Sequence, residues 1–257
     1  CAAELAEQRE KKWSDAPRVK LVIEIGKLLG MRSDGKRSDG KRKPPTYDNV
    51  GRIERDGYTI DKLVLKARGD ALLPALAFRP SSPAGEVYLY LHDEGKVGDT
   101  AADGPVEELV NAGYTVITVD LRGQGETASQ SRDALLTDWK TYYLGYLLGR
   151  PLVGTRVIDT LDAAYLAGHD LHEGSEARQV HLVGVGQAGI VALHAAALVP
   201  ERFASVTLRK TPHDWASVVE QDVPSGQLDS SVHGALEVYD LPDLVRLAGE
   251  DKVRYED

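Results

Sequence analysis

Between residues 87 and 208, short β-branched and aliphatic runs alternate with segments of helical length, and nothing else in the chain constrains its fold as strongly. Val87 to Leu91 reads as a buried strand, Val106 to Asn111 as a short helix, Thr115 to Asp120 as a strand and Thr155 to Ala167 as a helix. Val180 to Val185 then reads as a strand, Gly189 to Leu198 as a helix and Ser205 to Leu208 as a strand, with Lys252 to Tyr255 a last candidate strand. Strands separated by helices pair in parallel through right-handed crossovers, which puts helices on both faces of the sheet. The expected class is therefore α/β, a three-layer sandwich with a mostly parallel sheet. Ahead of it, Lys62 to Lys66 and Ala75 to Phe78, separated by Arg68-Gly69-Asp70, predict an antiparallel hairpin. Ligands of such sheets bind beyond the carboxyl ends of the strands, so the informative residues follow Leu91, Asp120, Val185 and Leu208.

Composition narrows the partners. The 257 residues carry a net charge of −9, which argues against a nucleic acid or an anionic membrane surface as partner of the whole chain. No apolar run is long enough for a transmembrane helix. The single cysteine excludes an internal disulfide framework or a thiolate metal site.

The charge is unevenly spread: residues 1–45 hold 12 Lys and Arg against 7 Asp and Glu, leaving 19 against 33 for residues 46–257. The first 45 residues read as a helical arm and basic linker, and 46–257 as the α/β domain, short at its C-terminal end. Ala2 to Trp13 reads as a polar helix, and Val19, Val22, Ile25, Leu28 and Leu29 recur at helical spacing before Gly30. Val22, Ile25 and Leu29 are expected to pack on the body. SDGKR then occurs twice in tandem, Ser33 to Arg37 and Ser38 to Arg42, with nothing apolar to bury, and reads as a solvated loop. Cys1 has two readings, the lipid-bearing first residue of a mature bacterial lipoprotein or a cut in a longer chain. Only the first would bring the chain to a membrane, and it implies an extracytoplasmic location.

Three strand ends carry a pattern. Leu91 is followed by His92-Asp93-Glu94-Gly95-Lys96; Asp120 by Leu121-Arg122-Gly123-Gln124-Gly125-Glu126-Thr127; and Val180–Val185 runs through Gly184-Val185-Gly186-Gln187-Ala188-Gly189 into a helix. This order resembles the α/β-hydrolase fold, in the branch of acetylxylan esterases and related carbohydrate esterases, over roughly residues 50 to 255. The resemblance implies that the first motif is the loop supplying an oxyanion-hole amide, the second an Asp-x-Arg-Gly-x-Gly turn, and the third the nucleophile elbow Gly-x-Ser-x-Gly. Gly149 to Gly154, leading into a helix with Arg156 and Asp159, is similar to the family's segment ahead of the elbow.

Laid on that elbow, Gly186 stands where the nucleophilic serine would, and Ala188 where the second glycine would. Glycine accepts the strained turn without a Cβ penalty, so Gly186 is expected to keep the geometry, with positive φ, while removing the hydroxyl. Asp93 replaces the small residue that usually follows the histidine. After the elbow come His194, read as a packed helix histidine, His213 beside Asp214, and His233; none stands where the family's order Ser, then acid, then His requires its base. The chain ends where the acid would come and before the histidine. The expectation is a degenerate esterase domain, similar to the second hydrolase-like unit of multidomain bacterial proteins, that supports or binds carbohydrate for an attached catalytic domain. Its candidate site comprises His92 and Asp93 at the oxyanion loop and the degenerate elbow Gly184, Gly186, Gln187, Ala188 and Gly189. Glu94, Lys96, Arg122, Gln124, His213 and Asp214 form its expected rim.

Other readings stay open. An active esterase could use unrecognised or partner-supplied groups. Gly184 to Gly189 also satisfies Gly-x-Gly-x-x-Gly, with Arg209-Lys210 available to a 2′-phosphate, which would make an NADP-binding protein. The hydrolase reading calls for no cofactor. His169 and His172 with Asp170 and Glu173 read as solvated side chains rather than a metal site. The acids beside His92 are expected to bridge to Lys96 or Arg122, and Arg122 to tie neighbouring loops together. Trp139, Tyr142, Tyr143 and Tyr146, at helical spacing, read as helix core contacts in preference to a carbohydrate-stacking face.

Overall fold

The computed structural model describes residues 2–31, 44–68, 71–128, 138–169, 171, 177–220 and 230–257. The SDGKR repeats, most of the His169–Glu173 cluster, the turn residues Gly69 and Asp70 and the side chain of Trp139 lie outside the described residues.

Two helices, α1 (Ala2–Asp15) and α2 (Arg18–Leu28), precede an eight-stranded sheet. Its strands are β1 (Thr46–Arg55), β2 (Tyr58–Ala67), β3 (Ala71–Pro80), β4 (Val87–Leu91), β5 (Thr115–Val119), β6 (Val180–Val185), β7 (Phe203–Arg209) and β8 (Val253–Glu256). They lie in the order β1-β2-β3-β5-β4-β6-β7-β8. β1, β2, β3 and β5 pair antiparallel, and β5-β4-β6-β7-β8 run parallel. Between the strands come α3 (Pro105–Asn111), α4 (Asp138–Leu147), α5 (Leu152–His169), α6 (Gln187–Leu198), α7 (Ala216–Val219) and α8 (Leu241–Ala248).

The strand periodicity of two sorts side chains onto two apolar layers. Leu89, Leu91, Ile117 and Leu182 join the larger core with α5, α6 and α8, while Tyr90, Val116, Val183 and Val185 meet Val106 and Val110 of α3 on the opposite face. The expected hairpin is β2–β3, in register from Tyr58 opposite Pro80 to Ala67 opposite Ala71.

β1 has no counterpart among the sequence expectations. Its sequence TYDNVGRIER is mostly exposed and lacks apolar alternation, and it is held as an edge strand by its ladder to β2. The N-terminal helices are integrated into the body: Ile25 and Leu29 are fully buried in the larger core and Val22 packs against it. Around them, Arg9 pairs with Asp243 at 2.9 Å, the Trp13 indole donates to the Val238 carbonyl at 2.8 Å, and Arg18 donates to the Leu247 carbonyl at 2.6 Å. The polar helix α1 thus clasps the C-terminal segment through side-chain bonds.

The aromatic stretch departs from the core reading. Tyr143 is 53% exposed and Tyr146 48%, with Leu147 and Leu148 also open. Helical spacing fixes which residues share a face; here Tyr146 meets the edge of His233 and is still about half-exposed.

Candidate active site

The three strand-end motifs converge because β5, β4 and β6 are adjacent and parallel, so their carboxyl ends open on one edge of the sheet. Gly186 sits on the turn between β6 and α6 with φ 63° and ψ −132°. Its amide donates to the Arg209 carbonyl at 2.8 Å and its carbonyl accepts from the Thr211 hydroxyl at 3.1 Å, tying the turn to the end of β7. Gly184 and Gly189 let strand and helix backbones meet: a Cβ on Gly184 would lie 2.6 Å from the Gly189 Cα.

Where a side chain at position 186 would begin stands Asp93. A Cβ built on Gly186 collides with Asp93 Oδ2, and Asp93 Oδ1 accepts the Ala188 amide at 2.7 Å. Ala188 is the second residue of α6, one of the amides left without an intrahelical acceptor, and Gly186 has no side chain with which to cap it. The cap comes instead from a residue 95 positions earlier. A carboxylate there also meets the positive end of the α6 dipole.

The expected bridges from Asp93 or Glu94 to Lys96 or Arg122 are replaced by other partners. Lys96 turns inward. Its ammonium bonds to Asp120 at 2.7 Å and to Glu126, while its backbone amide donates to Asp120 Oδ1 at 2.6 Å. Burial works against that charge, but the hydrogen bonds to Asp120 and Glu126 hold the Lys96 ammonium above its ordinary value. Asp120 is fully buried and also accepts the Glu126 amide at 3.0 Å, so one carboxylate stitches the loops after β4 and β5 together. Lys96 and Gln124, each 8% exposed, lie beneath the rim rather than on it.

Arg122 ties its loop to α5: Nη2 donates to Asp159 Oδ1 at 2.6 Å and Nε to Oδ2 at 2.9 Å, a bidentate pair on a carboxylate with no exposed surface. That pairing raises the Arg122 pKa above its usual value despite partial burial. Arg156 Nε donates to the Arg122 carbonyl at 2.9 Å. These residues build the floor of the site and leave Arg122 committed to Asp159.

The histidines divide among other tasks. His92 Nδ1 accepts the Glu94 amide at 3.0 Å and shapes the loop after β4. His194 is fully buried, with Nδ1 on the Ile190 carbonyl at 2.7 Å and Nε2 against the Tyr239 hydroxyl at 2.8 Å; burial lowers its pKa to about 4. It is a neutral core imidazole. His213 is exposed and stacks on Tyr255 at 4.1 Å, and neighbouring Asp214 accepts the Ser217 amide at 2.6 Å. His233 meets the edge of Tyr146 at 4.6 Å, and His169 stacks on Tyr165.

One network near the elbow has no sequence signature. The Tyr90 hydroxyl donates to Asp99 at 2.6 Å and accepts from Arg209 at 3.1 Å, while Arg209 pairs with Glu256 at 2.8 Å. Burial pushes the Tyr90 phenol up. Asp99 adopts φ 58°, uncommon for a residue with a side chain. Strand alternation could have placed Tyr90 on the α3 face, but its partners come from three separate segments.

The architecture has known counterparts. A candidate acetyl xylan esterase from Bacteroides fragilis NCTC 9343 superposes with a TM-score of 0.70 at 12% identity, over 96% of this chain and 68% of that one. Acetyl xylan esterase 1 from Thermoanaerobacterium sp. JW/SL YS485 gives 0.60 at 17% identity, over 94% and 90%, and an acetyl xylan esterase from Paenibacillus sp. R4 gives 0.56 at 15%, over 92% and 86%. At such identities the likeness is one of fold. No curated protein matches the sequence. A family model described as the alpha/beta hydrolase fold matches residues 104–232, half of the chain and the stretch that contains the elbow, and the chain belongs to that family.

Proposed function

We propose that this α/β-hydrolase domain is catalytically degenerate and serves an attached or associated esterase by support or carbohydrate binding. The observation that carries the reading is the pairing of Gly186 with Asp93. The elbow turn is kept, the position of the nucleophile has no side chain, and a carboxylate fills the space. In serine hydrolases, losing the nucleophile or the base lowers turnover by roughly a million-fold, so an oxyanion hole alone would leave little activity. Among the described residues His194 is sealed in the core, and His213 and His233 lie against tyrosines.

The exposed Tyr143 and Tyr146 of α4 favour a carbohydrate partner over a purely structural role, because aromatic faces stack on sugar rings. The dinucleotide reading loses ground, since Asp93 occupies an amide of the helix terminus that a pyrophosphate would need.

The test is hydrolysis of p-nitrophenyl acetate by the 257-residue chain, alone and with a catalytic esterase domain present. The expected outcome is a rate equal to buffer for the chain alone; turnover well above buffer would support the active-esterase alternative instead.

A further inference from the structure

We propose that Asp93 is a latch that caps α6 from the loop after β4 and occupies the space where the side chain of the nucleophile would begin. Two facts that need not occur together support this. Asp93 Oδ1 takes the Ala188 amide at 2.7 Å, and Asp93 Oδ2 occupies the volume that any Cβ at position 186 would enter. The first supplies the cap that a side chain on the elbow residue would otherwise give. The second means that a side chain at 186 requires the Asp93 carboxylate to move away. The latch is anchored from behind, because two residues beyond Glu94 the Lys96 amide and ammonium are both fixed to buried Asp120. The His92 ring, packed against Gly98 and accepting the Glu94 amide, fixes the loop on the other side of Asp93.

It follows that restoring a hydroxyl at 186 takes two substitutions. Gly186→Ser alone must displace the Asp93 carboxylate, whereas in an Asp93→Ala background that carboxylate is gone. The inference rests on the non-catalytic reading of the site, but its test needs no substrate, so turnover by the unaltered chain would overturn that reading alone.

The experiment is residue-resolved amide hydrogen exchange on the full chain and on Asp93→Ala, Asp93→Asn, Gly186→Ala and the Asp93→Ala/Gly186→Ala pair. The Ala188 amide should exchange at least about tenfold faster in Asp93→Ala and in Gly186→Ala, whose methyl meets the carboxylate and cannot cap, since a helix-terminal amide has no intrahelical acceptor to fall back on. The β6 amides of Leu182 and Val183 should stay as protected as before, which separates unlatching from general loosening. The double substitution should add nothing at Ala188 beyond Asp93→Ala, the signature of two changes acting on one contact. Asp93→Asn, which keeps an acceptor oxygen, should fall between. Unchanged Ala188 exchange in Asp93→Ala, or additive effects in the pair, would overturn the latch; if Asp93→Ala does not fold, retained protection in Gly186→Ala does so by itself.

Discussion

His194 illustrates how a single residue can be read in two ways until its surroundings are known. It follows the elbow by eight positions and is a natural suspect for a base, yet both ring nitrogens are engaged in the interior by Ile190 and Tyr239. Its pKa, lowered to about 4 against an ordinary 6.5, means the unfolded chain takes up a proton that the folded chain refuses. Stability from the neutral imidazole is therefore complete above about pH 6.5 and is lost as the pH falls toward 4, by on the order of 3 kcal/mol. Urea midpoints at pH 7 and pH 4.5 should separate more widely for the unaltered chain than for His194→Gln, which cannot take up the proton. Equal separations would show that other groups control the acid limb. The alanine-rich surroundings of His194 already point to packing, and Gly186 reads directly from the strand–Gly-x-Gly–helix order. Asp93 does not read this way: its partner lies 95 positions away and the contact exists only because β4 and β6 are neighbours.

At the scale of elements, apolar runs located β4, β5 and β6 because these central strands are buried on both faces. The same signal fails for β1, whose edge position lets it be mostly polar, and misleads for α4, where Tyr143 and Tyr146 stay about half-exposed. Aliphatic spacing in α2 is more informative. Ile25 and Leu29 are each at most 1% exposed, whereas Val19 of the same expected face is 70% exposed and buried Leu21 lies outside that set; burying such side chains contributes about 1.5–3 kcal/mol apiece. Ile25→Ala should accordingly cost about 2–5 kcal/mol in a denaturation experiment. Deleting residues 1–31 should lower the melting temperature further, by also removing the Arg9, Trp13 and Arg18 bonds to the C-terminal segment. Deleting Ser33 to Arg42 should leave it nearly unchanged. A helix pair that could be removed without loss of stability would show that the apolar face of α2 contributes nothing to the folded body.

For the molecule as a whole, the hydrolase scaffold is kept while glycine stands at the elbow. The sheet order, the positive-φ turn at Gly186 and the Arg122–Asp159 and Lys96–Asp120 ties all maintain the platform on which hydrolases of this family work. The position that would carry the nucleophile is instead filled by a carboxylate from a neighbouring loop. Maintaining such a platform without its nucleophile is what a supporting or binding domain would require. The most direct test is reaction of the intact chain with a fluorophosphonate, followed by intact-mass analysis and peptide mapping. No stoichiometric adduct should form, because the position of the nucleophile holds Gly186; one adduct per chain on a single serine, blocked by denaturation beforehand, would contradict the degenerate reading.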